Sequence, residues 1–491
     1  MDVAEVVVVG AGPAGLMLAG ELRLAGVEVV VLERLAEPTG ESRGLGFTAR
    51  TMELLDQRDL LSRYGEIATS SAGHFGGLGV DFSVLDGIHF SANGVSQART
   101  EQILGDWVTE LGADVRRGWE LIGLTDDEDG VDVVARTPAG PRHLRARYLI
   151  GCDGGRSTVR KLAGFEFPGT PTTMEMFLAD VRGCELRPRP IGERVPGGMA
   201  MSAPIGDGVD RVIVCERNNE PVQRSGPPEF SEVAEAWLRL TGEDIRGAEA
   251  LWTSSFTDSA RLVTQYRRGN VFLAGDAAHI HLPAGGQGLN VGVQDSVNLG
   301  WKLGAVLRGS ADPSLLDTYH HERHPVGARL LMNTQAQGFL FLSGEEVVPL
   351  RNVMAELMEF DVVNRHLVGM VSGLDIRYDV GLPDHDLAGR RLPPRELLGE
   401  GTKTSTTELL RGARGVLLDL ADDAGLRRAA TGWSDRVEVF TGAPFGNEPG
   451  DPLNAVDAVL VRPDGYVAWV SHAGEDVTAA LGRWFGTPVP V

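Results

Sequence analysis

The chain has 491 residues, 42% of them hydrophobic and 23% charged, with a formal net charge of −22. This length predicts two to four domains around a sizeable core, and the acidic balance counts against nucleic acid or an anionic membrane as partners. No apolar run approaches the ~20 residues needed to cross a bilayer, and the opening Met1-Asp2-Val3-Ala4-Glu5 lacks the basic flank and apolar block of a signal peptide, so a cytoplasmic protein is expected.

The first predicted element is a buried strand over residues 6–9, all valine. It runs into Gly10-Ala11-Gly12-Pro13-Ala14-Gly15, a G-x-G-x-x-G turn. In such a turn the first glycine allows the tight bend, the second lets a pyrophosphate approach the backbone, and the third lets the next helix lie against the strand. Pro13 suits a first helical turn. Leu18, Leu22 and Ala25 then recur at helical spacing until Gly26. A second strand, 27–32, delivers Glu33, whose carboxylate is positioned to accept both hydroxyls of an adenosine ribose and would repel a 2′-phosphate. Alone, this unit leaves NAD and FAD both open.

Two further glycine-rich turns follow. In "ARYLIGCDGGRSTVRKLAG" residues 148–151 read as a strand, Asp153-Gly154-Gly155 as a turn and 157–162 as a helix start. In "GNVFLAGDAAHIHLPAGGQGLNVGVQDSVNLGWKLGAVLRG" a strand over 271–274 ends at Gly275-Asp276. A loop over 283–288 then opens a helix over about 289–307, whose first amides would favour an anion. Between these motifs, 172–268 alternates in the manner of Arg211-Val212-Ile213-Val214-Cys215, which predicts an antiparallel sheet covered on one face. After about 380, "GLPDHDLAGRRLPP" reads as a linker, and the strands in "GARGVLLDLAD" and "AVDAVLVRPDGYVAWV", with a turn at Pro463-Asp464-Gly465, as a small separate α/β unit. Cys152, Cys184 and Cys215 form no C-x-x-C and read as small buried hydrophobes.

In order, Gly10-Ala11-Gly12-Pro13-Ala14-Gly15 with Glu33-Arg34, then Asp153-Gly154, then Gly275-Asp276-Ala277-Ala278-His279 resemble the FAD-dependent aromatic hydroxylases, which are single-component flavoprotein monooxygenases. The phrases "GESRGLGFTARTMELLDQR", "HFGGL", "TMEMFLAD", "HIHLPAGGQGLN" and "MNTQAQGFLFLSG" look most like those acting on aromatic polyketides, angucyclinones in particular. The resemblance spans the whole chain and implies an α/β, multidomain α+β fold. A Rossmann-like FAD-binding domain would comprise 1–171 and, with long helices, 269–385; a substrate-binding middle sheet would occupy 172–268; a thioredoxin-like domain without C-x-x-C would occupy 386–491. It also implies a monomer or homodimer that uses NADPH or NADH and O2 to hydroxylate a polycyclic substrate through a flavin C4a-hydroperoxide.

Carried over position by position, the resemblance puts Gly10, Gly12, Pro13, Ala14 and Gly15 around the pyrophosphate, Glu33 on the ribose, and Arg34 with the backbone of Leu121 beside adenine. Arg43 would lie near the pyrophosphate and the nicotinamide approach, Gln97 on the FAD chain, Asp153 in the second motif, and Asp276 on the ribityl hydroxyls. Pro283, Gly286 and Gly288 would wall the flavin, with the amides of Leu289 and Asn290 at its pyrimidine edge, where a helix start favours the anionic reduced form. The catalytic candidates are Arg43 and Pro283. No dedicated base is identified, since a phenol activates itself by losing a proton. Plainer readings stand beside these: Arg43 as a surface charge, Asp276 as a helix cap, His74 as a structural histidine. His279 and His281 lack a third ligand, so no metal is expected. An oxidase or dehydrogenase on the same scaffold, or a flavin-binding module without catalysis, are the rival functions.

Overall fold

The computed structural model describes residues 2–85, 91–217, 219–222, 224, 226–382, 385–399, 401–446 and 450–490, with backbone alone for 91–93. Strand β1 (Asp2–Val9) is central in the first sheet, and Val6, Val7, Val8 and Val9 are all buried, as expected of a strand covered on both faces. Helix α1 (Pro13–Leu24) follows, then β2 (Val29–Glu33) returns parallel to β1 with Val6 opposite Val29. The apolar stripe predicted one buried side for α1, but residues 15–22 are buried all round. Its outer face is covered as well: a Cβ on Gly20 would meet the Trp107 ring at 1.9 Å.

Helices α2 (Ala49–Asp56) and α3 (Gln97–Glu110) lead to β3 (Asp114–Arg117), parallel to β2. An antiparallel run, β4 (Glu120–Asp127), β5 (Gly130–Thr137) and β6 (Gly140–Gly151), then places the end of β6 parallel to β1, and the short α4 (Thr158–Leu162) follows.

The middle segment forms the expected antiparallel sheet. It comprises β7 (Glu175–Arg182), β8 (Arg189–Val195), β9 (Gly198–Gly206), β10 (Val209–Glu216) and, after α5 (Phe230–Thr241), β11 (Glu249–Thr257), in the order β8-β9-β10-β7-β11. Alternation along β10 assigns its two faces. Val212 and Val214 pack under α5 against Val233 and Trp237, whereas Ile213 and Cys215 join Met176, Met199, Leu282 and Leu342 on the side facing the first domain.

The chain then returns to the first sheet as β12 (Val271–Leu273), parallel to β6, and continues through α6 (Gln287–Leu307), α7 (Asp317–Leu342), α8 (Val348–Met358) and α9 (Asp361–Ser372). Helix α6 begins two residues earlier than the loop pattern suggested. In the carboxyl-terminal part, β13 (Gly415–Asp419), α10 (Ala424–Ala430) and β14 (Val437–Thr441) form a parallel pair. β15 (Ala458–Val461), β16 (Val467–Val470) and α11 (Val477–Phe485) complete the thioredoxin-like order β14-β13-β15-β16.

Two expectations about this region are corrected. Residues 381–394, of which 383 and 384 lie outside the described residues, do not behave as a free linker: Leu387, Ala388 and Leu392 are buried, and Arg391 pairs with Glu53 at 2.7 Å. Nor is the unit separate, because Leu417, Trp469 and Trp484 belong to the same core as β1 and α1. Pro and Gly set the local turns here, but burying the backs of α2, α6 and α7 decides the docking.

Candidate active site

The β1–α1 turn is built by close approach. Gly10 has φ +106°, and a Cβ there would come within 2.4 Å of the Cys152 carbonyl; one on Gly15 would stand 1.9 Å from the Gly10 carbonyl. Gly12 is different, because nothing lies within 4 Å of where its Cβ would be. It precedes Pro13 and Ala14, which open α1 with no side chain capping the first amides. The turn is thus packed on the protein side and open on the other, leaving orphan amides for an anion. Glu33 sits beside it: its Oε2 accepts from Ala11 N and its Oε1 from Leu35 N, each at 2.9 Å. Trp119 N donates to the Glu33 carbonyl at 2.9 Å, bringing the strand of Leu121 to the same end, where Arg34 is exposed.

The second motif serves as a brace. Asp153 accepts from Ser157 Oγ at 2.5 Å and from Thr158 N at 2.6 Å, capping α4. Arg160 of that helix donates to the Ala277 carbonyl at 2.9 Å, tying the second motif to the third. The carboxylate of Asp153 is therefore spent on protein, while its backbone lies against Gly10.

In the third motif Asp276 projects from a single 3-10 turn, Gly275–Ala277, toward the cleft. Desolvation by the cleft walls pushes its pKa above the ordinary value, with His279 and Arg43 pulling the other way. Arg43 is thereby brought to the same cleft, 233 positions away in the chain. Its loop is held by three hydrogen bonds, two from the start of α3 and one from the middle sheet: Ala98 N donates to Ser42 Oγ at 3.0 Å, Gln97 N to the Gly44 carbonyl at 3.1 Å, and Arg211 Nη1 to the Arg43 carbonyl at 3.3 Å. Arg211 is itself fixed by Asp180, at 2.7 and 2.8 Å.

The start of α6 closes the cleft. Gly285 and Gly286 take left-handed φ values of +68° and +64°, and no side chain caps the helix. A Cβ on Gly288 would lie 3.3 Å from His281 Nε2 and 3.9 Å from Asp276 Oδ1; one on Gly44 would lie 3.3 Å from Leu289 and 3.9 Å from Gln97. Five of the sequence candidates thus converge. The side chain of Asn290 is buried and turned inward, accepting from Thr48 N at 2.9 Å and donating to the Gly286 carbonyl at 2.8 Å, so its own role is to tie the loops. Pro283 is exposed at the edge. Above it, Phe256 and Met201 of the middle sheet, with Phe341 of α7, extend the apolar face over the loop at Leu282.

Sequence reading missed the support beneath. His279 Nε2 lies 2.9 Å from Asp295 Oδ2, which also accepts from Gly275 N at 3.1 Å, while Arg323 Nε donates to Asp295 Oδ1 at 2.7 Å. Burial would raise the Asp295 carboxyl, but Arg323 and His279 outweigh it and hold it low. An acid in the apolar middle of α6 was the available signal. His281 is kept neutral, with burial lowering its pKa to about 4. His74 accepts from Gly77 N at 3.3 Å, closing its own turn. Burial pushes the Cys152 and Cys215 thiols up, the latter to about 12, so neither is a ready nucleophile. Among the described residues no group of three or more His, Cys, Asp or Glu is placed to hold a metal ion, and no helix is long and apolar enough to cross a membrane.

An open Gly12, two uncapped helix starts, an acid at the end of β2 and another at Asp276 form a cradle that fits FAD. Asp276→Ala is expected to remain folded and to bind FAD about tenfold to a hundredfold more weakly, since a hydrogen bond to a charged group contributes roughly 1.5–3 kcal/mol. Flavin fluorescence titration checks this, and unchanged affinity would remove Asp276 from the site.

The chain belongs to the FAD-binding aromatic-ring hydroxylases: residues 3–334 match the FAD binding domain family, and residues 385–488 match the family of the carboxyl-terminal domain of aromatic-ring hydroxylases. It is similar to the 12-dehydrotetracycline 5-monooxygenase/anhydrotetracycline 6-monooxygenase of Streptomyces rimosus subsp. rimosus, at 44% identity over 500 residues covering 99% of each chain. Among solved structures it is similar to CabE, an aromatic hydroxylase from angucycline biosynthesis (63% identity, TM-score 0.96, 99% of each chain). It is also similar to aklavinone-11 hydroxylase in a ternary complex with FAD and aklavinone (26% identity, TM-score 0.78, 99% of each chain).

Proposed function

We propose that this chain hydroxylates a polycyclic aromatic polyketide of the angucyclinone type, using NADPH or NADH and O2. The observation that carries the reading is the packing of the apolar face of the middle sheet, Met176, Met199, Met201 and Phe256, together with Phe341 of α7, against the Leu282 loop that leads into α6. A flat, largely apolar substrate would fit beneath that face with its reacting ring toward the cofactor. FAD, when bound, supplies the two-electron carriage and the dioxygen chemistry that side chains lack.

The protein's part is to bind, orient and exclude water. The helix starts at Gly12 and Gly286 would offer amides to the anionic parts of the cofactor, and Glu33 and Asp276 would accept from its hydroxyls. The apolar roof would keep water from the reacting region, which suppresses waste of the reducing equivalents as hydrogen peroxide. Arg43, exposed on a loop anchored by Arg211, is suited to meet the phosphates of a nicotinamide nucleotide. In this reading 1–171 and 269–385 hold the cofactor, 172–268 receives the substrate, and 386–491 serves packing.

An angucyclinone substrate is expected to accelerate NADPH oxidation at least tenfold, about 1.4 kcal/mol of barrier, with one atom of labelled dioxygen recovered in the product. Arg43→Ala should blunt the acceleration while leaving FAD bound. Label recovered only in hydrogen peroxide or water, with the substrate merely dehydrogenated, would replace this reading with that of an oxidase.

A further inference from the structure

On the side of α6 turned away from the cofactor cleft, α6, α7, α9 and the segment following α9 enclose a cavity of about 450 Å³. That volume lies within the range of small-molecule sites. Val291 of α6, Val326 and Leu330 of α7 and Val371 of α9 supply apolar walls. The mouth carries charges of both signs, with Arg329 held by Asp375 at 3.0 Å, so it does not select an ion.

The polar groups of the interior differ in how they are used. Gln287 Nε2 donates to the Ala284 carbonyl at 3.1 Å, Asn333 Nδ2 to Gln287 Oε1 at 2.9 Å, and Gln337 Nε2 to Asn333 Oδ1 at 2.9 Å. This amide ladder is spent within the protein, Gln337 Oε1 accepting in turn from Gly76 N at 3.1 Å, and the cavity residues Gln287, Asn290 and Gln294 lie on the face of α6 opposite Gly288 and Gly292. Gln294 is not so engaged: it is 5% exposed, it lines the cavity, and its Oε1 has no hydrogen-bond partner among the described residues. A buried acceptor without a donor is costly unless a ligand or water completes it.

We propose that this cavity is a second small-molecule site, which takes an uncharged aromatic of two or three rings whose hydroxyl donates to Gln294 Oε1. Apolar walls bind the rings, the mouth of mixed charge favours no ion, and the Gln294 amide in the wall, whose buried Oε1 lacks a donor among the described residues, selects a hydroxyl once it turns to the cavity. The proposal does not rest on the flavin-side chemistry, because the cavity lies on the face of α6 opposite Gly288, which borders Asp276.

The test is titration of the FAD-loaded protein with 2-naphthol, followed by calorimetry and naphthol fluorescence. Saturable binding is expected, weakened at least tenfold in Gln294→Leu and abolished in Leu330→Trp, with FAD content and circular dichroism unchanged. Met370→Trp fills the same space from a partly exposed position and is the second filler if Leu330→Trp does not fold. Met201→Trp, which narrows the cleft beneath the middle sheet, is expected to leave binding intact. Absence of saturable binding, or binding that survives the cavity variants or is lost in Met201→Trp, overturns the proposal.

Discussion

Arg462→Met is expected to lower the unfolding free energy by about 3–5 kcal/mol at pH 7, because it breaks a buried ion pair and removes the guanidinium that faces two buried carboxylates at once. Arg462 is fully buried, with Nη1 and Nη2 on Glu322 at 2.6 and 2.9 Å, and with Nε on Asp464 at 3.0 Å. Its guanidinium stacks between aromatic rings, 4.6 Å from the centroid of Trp484 and 5.3 Å from those of Trp301 and Tyr378. Glu322 is shared with Lys302 at 2.8 Å and with Asn298 at 2.6 Å, so one cluster joins α6, α7 and the carboxyl-terminal hairpin. Two more buried arginines grip the same turn: Arg50 donates to the Asp464 carbonyl at 2.7 Å and Arg58 to the Pro463 carbonyl at 2.8 Å.

The pH dependence gives a second readout of the same variant. Burial acts to raise the Glu322 carboxyl, but Arg462 and Lys302 outweigh it and hold it at about 2, below its ordinary 4.5. A carboxylate depressed in the folded state adds stability above its unfolded pKa and loses it as pH falls through the folded one. The gap between wild type and Arg462→Met should therefore be full at pH 7 and narrow between about pH 4.5 and 2. Denaturant titrations at pH 7 and pH 3 check both points. Equal stability of the two proteins at pH 7 would show that the cluster contributes nothing net.

The second large effect separates two glycines of one motif. Gly15→Ala puts a methyl 1.9 Å from a backbone oxygen that cannot move without opening the strand-to-helix turn. Overpacking of this kind costs about 1–3 kcal/mol, and apo-protein stability should fall together with FAD affinity. Gly12→Ala has open space on the protein side and an ordinary φ of −79°, so the apo-protein should be as stable as wild type. Its methyl would instead occupy the approach of the pyrophosphate, and FAD affinity should drop on the order of 100-fold, about 2.8 kcal/mol. Thermal unfolding of apo-protein beside flavin titration distinguishes the pair. Wild-type FAD affinity in Gly12→Ala would mean that the phosphates lie elsewhere.

Much of the cofactor cleft was legible because its parts are local. A valine strand, a G-x-G-x-x-G turn and an acid at the end of the next strand are each dictated by residues within a few positions, through backbone sterics and hydrogen bonding. The alternation of β10 likewise announced a sheet with two unlike faces. Local pattern failed where the deciding partner is remote. The helical stripe of α1 suggested one exposed side, yet α3 covers it, and "GLPDHDLAGRRLPP" looked like a linker although its leucines are buried.

By itself, the amino-acid sequence determined the βαβ unit, the three glycine-rich turns, the antiparallel middle sheet and the lack of a dithiol, since these follow from side-chain periodicity and from the conformations glycine and proline permit. Only the tertiary structure decided that Arg211 anchors the Arg43 loop, that Asp295 and Arg323 brace His279, and that Arg462 meets Glu322 across the domain boundary. Each of those is a buried charge, which is stable only where a partner is held at hydrogen-bond distance. A charge in a sequence does not reveal its partner, because folding brings together residues that are 140 positions apart.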